Sequence, residues 1–94
     1  MWISEWEWDD GNLDELAVHD LDRHTVLDIA AETPRFRRNK KARAASHQMI
    51  GPDRGGRFWT VCIVEVFDER WRAITGWPSE PHERTWYDKS GGAA

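Results

Sequence analysis

The sequence predicts a single α+β domain, in which a small antiparallel sheet packs against helices in the order β-α-α-β-β-β-α. A length of 94 residues is too short for two separate cores. Stretches with the two-residue period of strands are interspersed with short segments that carry helix caps. Seven tryptophans supply large apolar side chains and exclude wholesale disorder. We therefore expect one domain over residues 1–89 and a disordered tail at 90–94.

The first third of the chain predicts one strand and two short helices. Tryptophans alternate with other residues from Trp2 to Trp8, which is typical of a strand with one buried face. Asn12, followed three residues later by a glutamate, predicts a capping box and a helix that ends near His19. Asp22 can cap a second helix that ends before Pro34. The buried stripe of that helix is expected to consist of Val26, Leu27, Ile29 and Ala30.

The remainder predicts a loop, three strands and a helix. Residues 34–44 are basic and lack an apolar period, so we expect a mobile basic loop there. Three consecutive antiparallel strands follow, over residues 45–50, 57–67 and 71–77, and the first two are joined by a glycine-containing turn. Pro81 fits the first turn of a final helix that runs from His82 to about Lys89.

Charge is distributed unevenly along the chain, although the net value is only −4. Residues 1–33 carry −9, residues 34–57 carry +7 and residues 58–94 carry −2. A net negative charge alone argues against a nucleic-acid partner, because phosphate binding depends on clustered Lys and Arg. The distribution instead predicts one basic surface that can contact nucleic acid and one acidic surface for another partner.

Cysteine content and hydropathy predict a cytoplasmic protein. Cys62 is the single cysteine, so an intramolecular disulfide is excluded, and small secreted domains usually need disulfides. The first ten residues have no basic segment of the kind that opens a signal peptide. The longest aliphatic run, Val61 to Val64, is far too short to cross a membrane. His19 and His24 lack the spacing of a helical metal pair, so we expect no metal and no other cofactor.

A set of residues in a specific order extends over residues 6–88. It comprises Trp8-Asp9, Asn12, His19, Ile50-Gly51, the segment from Arg72 to Gly76, Glu83-Arg84 and Tyr87. In order and spacing, this set resembles the BrnT family, the toxins of type II toxin–antitoxin systems with a fold similar to the RelE ribonucleases. The resemblance implies a bacterial, metal-independent endoribonuclease that is inhibited by a cognate ribbon–helix–helix antitoxin.

Two arginines of the family pattern are missing or displaced. Members tend to carry Glu-Arg about five residues before the glycine, where this chain has Ala45-Ser46. Many also end the last strand in Ser-Ala-Arg, whereas here Thr75-Gly76 is followed by Trp77. The alternative function is therefore a catalytically weak or inactive member of the same fold that binds nucleic acid or a protein.

Cleavage of RNA without metal needs a base near the 2′-hydroxyl, a cation for the charge on phosphorus and an acid for the leaving oxygen. Either Arg72 or Arg57 can supply this cation, and the resemblance favours Arg72. His47 is the preferred residue for proton transfer, because imidazole titrates near neutral pH, and His82 is the alternative. Glu83 can either take part or simply stabilise the start of the last helix. The catalytic candidates are therefore Arg72, His47, Glu83, Arg84 and Tyr87.

Basic side chains of the central segment are the candidates for binding RNA or acidic parts of the antitoxin. They are Arg35, Arg37, Arg38, Lys40, Lys41, Arg43 and Arg57. Either partner predicts binding that weakens as the salt concentration rises, whereas a stretch of charges that is merely solvated predicts no binding. An exposed hairpin or the acidic helices could mediate a homodimer within the toxin–antitoxin complex.

Overall fold

Five strands form one mixed sheet, accompanied by three helices, in a computed structural model that describes residues 3–40 and 44–92. The elements, in chain order, are β1 (Glu5–Trp6), α1 (Asp10–Ala17), α2 (Arg23–Ala31), β2 (Arg35–Arg38), β3 (His47–Pro52), β4 (Phe58–Phe67), β5 (Arg70–Pro78) and α3 (Pro81–Gly92). The sheet order is β1-β5-β4-β3-β2. The protein therefore belongs to the α+β class that the sequence predicts. Within the described ranges, no helix is long and apolar enough to cross a membrane.

The two faces of the sheet are covered by different helices. Helices α1 and α2 cover one face, where Met49, Val61 and Ile63 pack against Leu16 and Ile29. Helix α3 lies on the opposite face, against β2 and β3. Because side chains alternate along a strand, the residues that face α3 are the ones between these core positions. We call the two surfaces the α1–α2 face and the α3 face.

The antiparallel strands β3, β4 and β5 agree with the three strands that the sequence predicts. Met49 pairs with Val61 and Ile63 pairs with Ala73, all on the α1–α2 face. Strand β1 is shorter than predicted and runs parallel to β5, with Glu5 opposite Arg70. The sheet is thus mixed rather than purely antiparallel.

The predicted order of elements lacks one strand, and the prediction of a basic loop over residues 34–44 is wrong for part of that segment. Four residues of that segment, Arg35–Arg38, form the edge strand β2, which gives the order β-α-α-β-β-β-β-α. Each of them pairs with a residue of β3, from Arg35 with Ile50 to Arg38 with His47. The strand forms because it pairs with β3, further along the chain. No period of apolar residues within the segment itself indicates it. Residues 41–43, which include Lys41 and Arg43, lie outside the described residues.

The expected disordered tail at 90–94 is also wrong in part, because α3 continues to Gly92. The guanidinium of Arg35 contributes to this end of the helix by donating to the carbonyl of Tyr87 at 3.3 Å. The hydroxyl of Ser90 donates to the same carbonyl at 3.0 Å. Arg35 thus links β2 to the C-terminal part of α3. The last two residues lie outside the described part of the chain.

Helix starts are set by aspartates. Asp22 caps α2 as predicted, because its carboxylate accepts from the backbone N–H of Thr25 at 2.8 Å. The capping box of α1 lies one turn earlier than the sequence predicts: Asp9 accepts from Asn12 N–H at 2.9 Å, and Asn12 Oδ1 accepts from Asp9 N–H at 2.7 Å. Asn12 also donates from Nδ2 to the carbonyl of Ala73 at 3.0 Å, which fixes α1 to β5. Asn12 is therefore an anchor between helix and sheet.

The turn between β3 and β4 is organised by Asp53. Its carboxylate accepts from Trp59 Nε1 at 3.0 Å, from Arg57 N–H at 3.0 Å and from Gly55 N–H at 2.9 Å. The bond from Trp59, followed by the backbone bonds and the charge of Arg57, holds the pKa of Asp53 below its ordinary value. Gly56 completes the turn with a φ of +89°, which L side chains rarely adopt.

We expect Asp53→Asn to lower the free energy of unfolding by about 1–2 kcal/mol at neutral pH, because the carboxylate accepts charge-assisted hydrogen bonds. Since the folded-state pKa is depressed, this stabilisation is present above the unfolded pKa of about 4 and is lost as the pH falls through the folded value. Urea unfolding of the wild type and of Asp53→Asn should show that the difference between their free energies of unfolding narrows from about pH 7 to about pH 2. A difference in the free energy of unfolding that does not vary with pH would contradict the stabilising role of the ionised Asp53 carboxylate. Asp68→Asn, in the exposed β4–β5 turn, is the control.

Candidate functional site

An open cleft of about 530 Å³ lies on the α3 face, where β2, β3 and β5 meet the start of α3. Its lining residues are Arg37, Arg38, Asn39, Lys40, Gln48, Trp77, Glu80, His82, Glu83 and Trp86. The topology creates the cleft, because α3 begins three residues after β5 ends and crosses back over the sheet towards β2 and β3. Its volume is within the range of small-ligand sites.

Arg37 and Gln48 form the floor of the cleft. They are opposite each other on β2 and β3, and Arg37 Nε donates to Gln48 Oε1 at 2.8 Å. The guanidinium carbon of Arg37 lies 4.9 Å from the ring centroid of Trp86, in a cation–π contact. Gln48 is only 4% exposed, and its Nε2 donates to Asn39 Oδ1 at 3.3 Å.

Glu83 stabilises the start of α3. The side chain is 2% exposed, accepts from the backbone N–H of Glu80 at 2.7 Å, and accepts from Trp77 Nε1 at 3.0 and 3.2 Å. Of the two roles that the sequence leaves open for Glu83, this geometry supports the stabilising one. Burial raises the pKa of the Cys62 thiol to about 11, and the charge of Glu83 acts in the same direction. Cys62 is therefore a protonated core residue rather than a nucleophile.

The cations that line the cleft lack ion-pair partners, a property that they share with Arg23, Arg35, Arg57 and Lys89 among the described residues. Within the described residues, Arg37, Arg38 and Lys40 form no ion pair. Away from the cleft, ion pairs join Arg54 to Asp28, Arg70 to Glu5, Arg72 to Asp9 and Arg84 to Asp88. Glu80 and Glu83 offset part of the positive charge in the lining. Arg38 and Lys40, which are exposed, thus remain available to an anionic ligand.

Two of the predicted catalytic residues, Arg72 and His47, lie away from the cleft lining. Arg72 forms a two-point ion pair with Asp9, at 2.6 and 2.8 Å, which raises the pKa of Arg72 and lowers that of Asp9. His47 lies on the α1–α2 face, where its ring is 5.6 Å from that of Trp71 and its Nδ1 is 2.8 Å from Ser46 Oγ. Neither side chain lines the cleft.

The other predicted site residues make local contacts. Tyr87 is buried, and its hydroxyl donates to the carbonyl of Thr33 at 2.7 Å. Cation–π contacts join Arg35 to Tyr87, Arg84 to Phe58 and Arg57 to Trp59. The cleft therefore brings together Arg37, Arg38, Lys40 and Glu83 of the predicted set, with His82, the alternative for proton transfer.

Several residues that line the cleft are not among the site residues that the sequence predicts; they are Gln48, Asn39, Trp77, Glu80 and Trp86. Gln48 carries a signal in the sequence, since it is a polar residue directly before the apolar pair Met49-Ile50 in a strand. The tryptophans carry none, because they are indistinguishable from core residues by spacing. No three His, Cys, Asp or Glu residues of the described chain are grouped so that they could hold a metal ion.

A comparison with models of protein families finds no match to the chain, and a search of curated proteins finds no relative.

Proposed function

We propose that the chain is a BrnT-like toxin of a type II toxin–antitoxin system, with a RelE-like fold, and that it cuts RNA in the cleft without a metal ion. The observation that carries the proposal is the presence of His82, Arg37, Arg38 and Lys40 in the lining of one cleft. These residues come from two separate parts of the sequence, and within the described residues the three cations have no carboxylate partner. A phosphodiester is the anion that this arrangement fits.

The proposed reaction is an attack by the 2′-oxygen of RNA on the adjacent phosphorus. A base takes the proton of the 2′-hydroxyl, the new bond forms a 2′,3′-cyclic phosphate, and the bond to the 5′-oxygen breaks as that oxygen receives a proton. His82 supplies the imidazole of the cleft, the side chain that enzymes use most often for proton transfer. Arg38 and Lys40 stabilise the additional negative charge on the phosphate oxygens.

The proposed partner is a ribbon–helix–helix antitoxin that covers the cleft in the bacterial cytoplasm. An acidic segment of such a partner would occupy the same cations as the RNA backbone, so the two would compete. This competition explains inhibition without any change in the fold of the toxin.

The test uses the purified chain and a single-stranded RNA in the presence of a chelator. We expect cleavage, and we expect Arg38→Ala/Lys40→Ala to remove most of it and to reduce the slope of log K against log salt by about 1.4, since each phosphate contact contributes about 0.7. Arg23→Ala/Lys89→Ala removes two exposed charges outside the cleft and is the matched control. RNA that is neither bound nor cut by the folded wild type would refute the proposal.

A binding module without nuclease activity is the second candidate. The position of Arg72 favours it, because this residue of the family pattern is held by Asp9 and by Glu7, the latter at 3.5 Å. RNA that binds with the same salt dependence but stays intact would identify this second function.

A further inference from the structure

Arg37 is held on two sides. Gln48 Oε1 accepts from its Nε at 2.8 Å, and the ring of Trp86 lies against the guanidinium with a distance of 4.9 Å to the ring centroid. A guanidinium has five N–H donors, of which Nε carries one. The four donors on the two terminal nitrogens have no hydrogen-bond or ion-pair partner among the residues that the structure describes. One edge of the guanidinium is therefore left for a ligand in the cleft.

Gln48 has an unusual position for an amide. It is 4% exposed and pairs with Cys62 of β4, in a part of the sheet where the other buried positions are mostly apolar. Burying an amide is unfavourable unless it is hydrogen-bonded, so an aliphatic residue would be the simpler choice for stability. Both ends of this amide are used, Oε1 by Arg37 and Nε2 by Asn39, and both partners line the cleft.

We propose that Arg37 is the phosphate clamp of the cleft and that Gln48 is its positioning residue. The contact with Gln48 fixes the Nε side of the guanidinium, and Trp86 fixes its plane. The terminal nitrogens then present the parallel N–H pair that binds two oxygens of one phosphate. A side chain oriented in this way loses less conformational freedom when the ligand binds. The inference rests on the proposed function, because it names the group that holds the RNA phosphate at that site.

A double-mutant cycle tests the positioning role. We expect Gln48→Leu to weaken binding of a short single-stranded RNA by about 10-fold, because a hydrogen bond to a charged group is lost, and Arg37→Ala to weaken it at least as much. The double variant should bind like Arg37→Ala alone, since Gln48 acts through Arg37. Met49→Leu, a volume-conserving change at the neighbouring buried residue on the opposite face, is the control and should bind like wild type. Additive losses in the double variant would overturn the positioning role.

A second measurement needs no RNA. The Nε–H proton of Arg37 should exchange slowly with water in the wild type and should lose this protection in Gln48→Leu, while the Arg23 Nε–H stays fast in both. Fast exchange of Arg37 Nε–H in the wild type would overturn the inference. Protected Nε–H in a wild type that binds no RNA would leave the positioning role intact and would refute the proposed function alone.

Discussion

Replacing His82 by alanine is expected to slow RNA cleavage by about 10²- to 10⁴-fold, the usual contribution of a side chain that transfers a proton in the rate-limiting step. His82 lines the same cleft as Arg37 and Lys40, two of the cations that would hold the phosphate. Its side chain is exposed, so the loss of the ring leaves the core intact. Single-turnover cleavage with saturating enzyme measures the chemical step, and equal melting temperatures would exclude unfolding as the cause.

His47→Ala is the matched control for this prediction. The ring of His47 packs edge-on against Trp71 on the α1–α2 face, and the cleft is on the other face. We expect its removal to lower stability modestly and to leave the cleavage rate of the folded fraction unchanged. The reverse result, with activity lost in His47→Ala and retained in His82→Ala, would place the reaction on the α1–α2 face and would contradict the site described above.

Ile29→Ala is expected to lower the free energy of unfolding by about 2–5 kcal/mol, the range for removing most of a buried aliphatic side chain. Ile29 is fully buried between α2 and the sheet, in the same cluster as Met49 and Val61. A loss of 1 kcal/mol shifts the melting temperature of a domain of this size by about 4–8 °C. The variant should therefore melt well below the wild type, if it folds at all.

Leu27→Ala, two residues earlier on the same helix, is the control for Ile29→Ala. The sequence predicts that both residues belong to the buried stripe, but Leu27 is 43% exposed. We expect its replacement to change the free energy of unfolding by less than about 1 kcal/mol. Urea denaturation of the two variants measures both values, and equal losses would mean that α2 packs on the sheet through a different side.

Local patterns in the sequence are sufficient to predict the three central antiparallel strands and α2. The nearly continuous apolar run of β4 and the capping aspartate Asp22 are signals within the elements that they predict or next to them. Strand β2 has no such signal, because three of its four residues are arginines and its formation depends on pairing with β3. The contact between Arg35 of β2 and the carbonyl of Tyr87 in α3 likewise joins distant parts of the chain, and no local pattern shows it.

The cleft could be predicted only in part. The basic character of the central segment is visible in the sequence, and three of its cations, Arg37, Arg38 and Lys40, line the cleft. The meeting of that segment with His82 depends on how α3 crosses the sheet, which no local pattern shows. The resemblance in the sequence predicts Arg72 at the site, yet Asp9, the residue that caps α1, holds it in an ion pair.

The position of β2 at the end of the sheet has a consequence for self-association. An edge strand has unpaired backbone groups that can pair with the same strand of another molecule. In this protein the edge carries Arg35, Arg37 and Arg38 on a strand of four residues. Two copies that met at this edge would bring three arginines from each molecule within a Debye length of the others, about 8 Å at physiological ionic strength, where like charges repel. The short cationic edge therefore resists aggregation, while it still admits a partner of opposite charge.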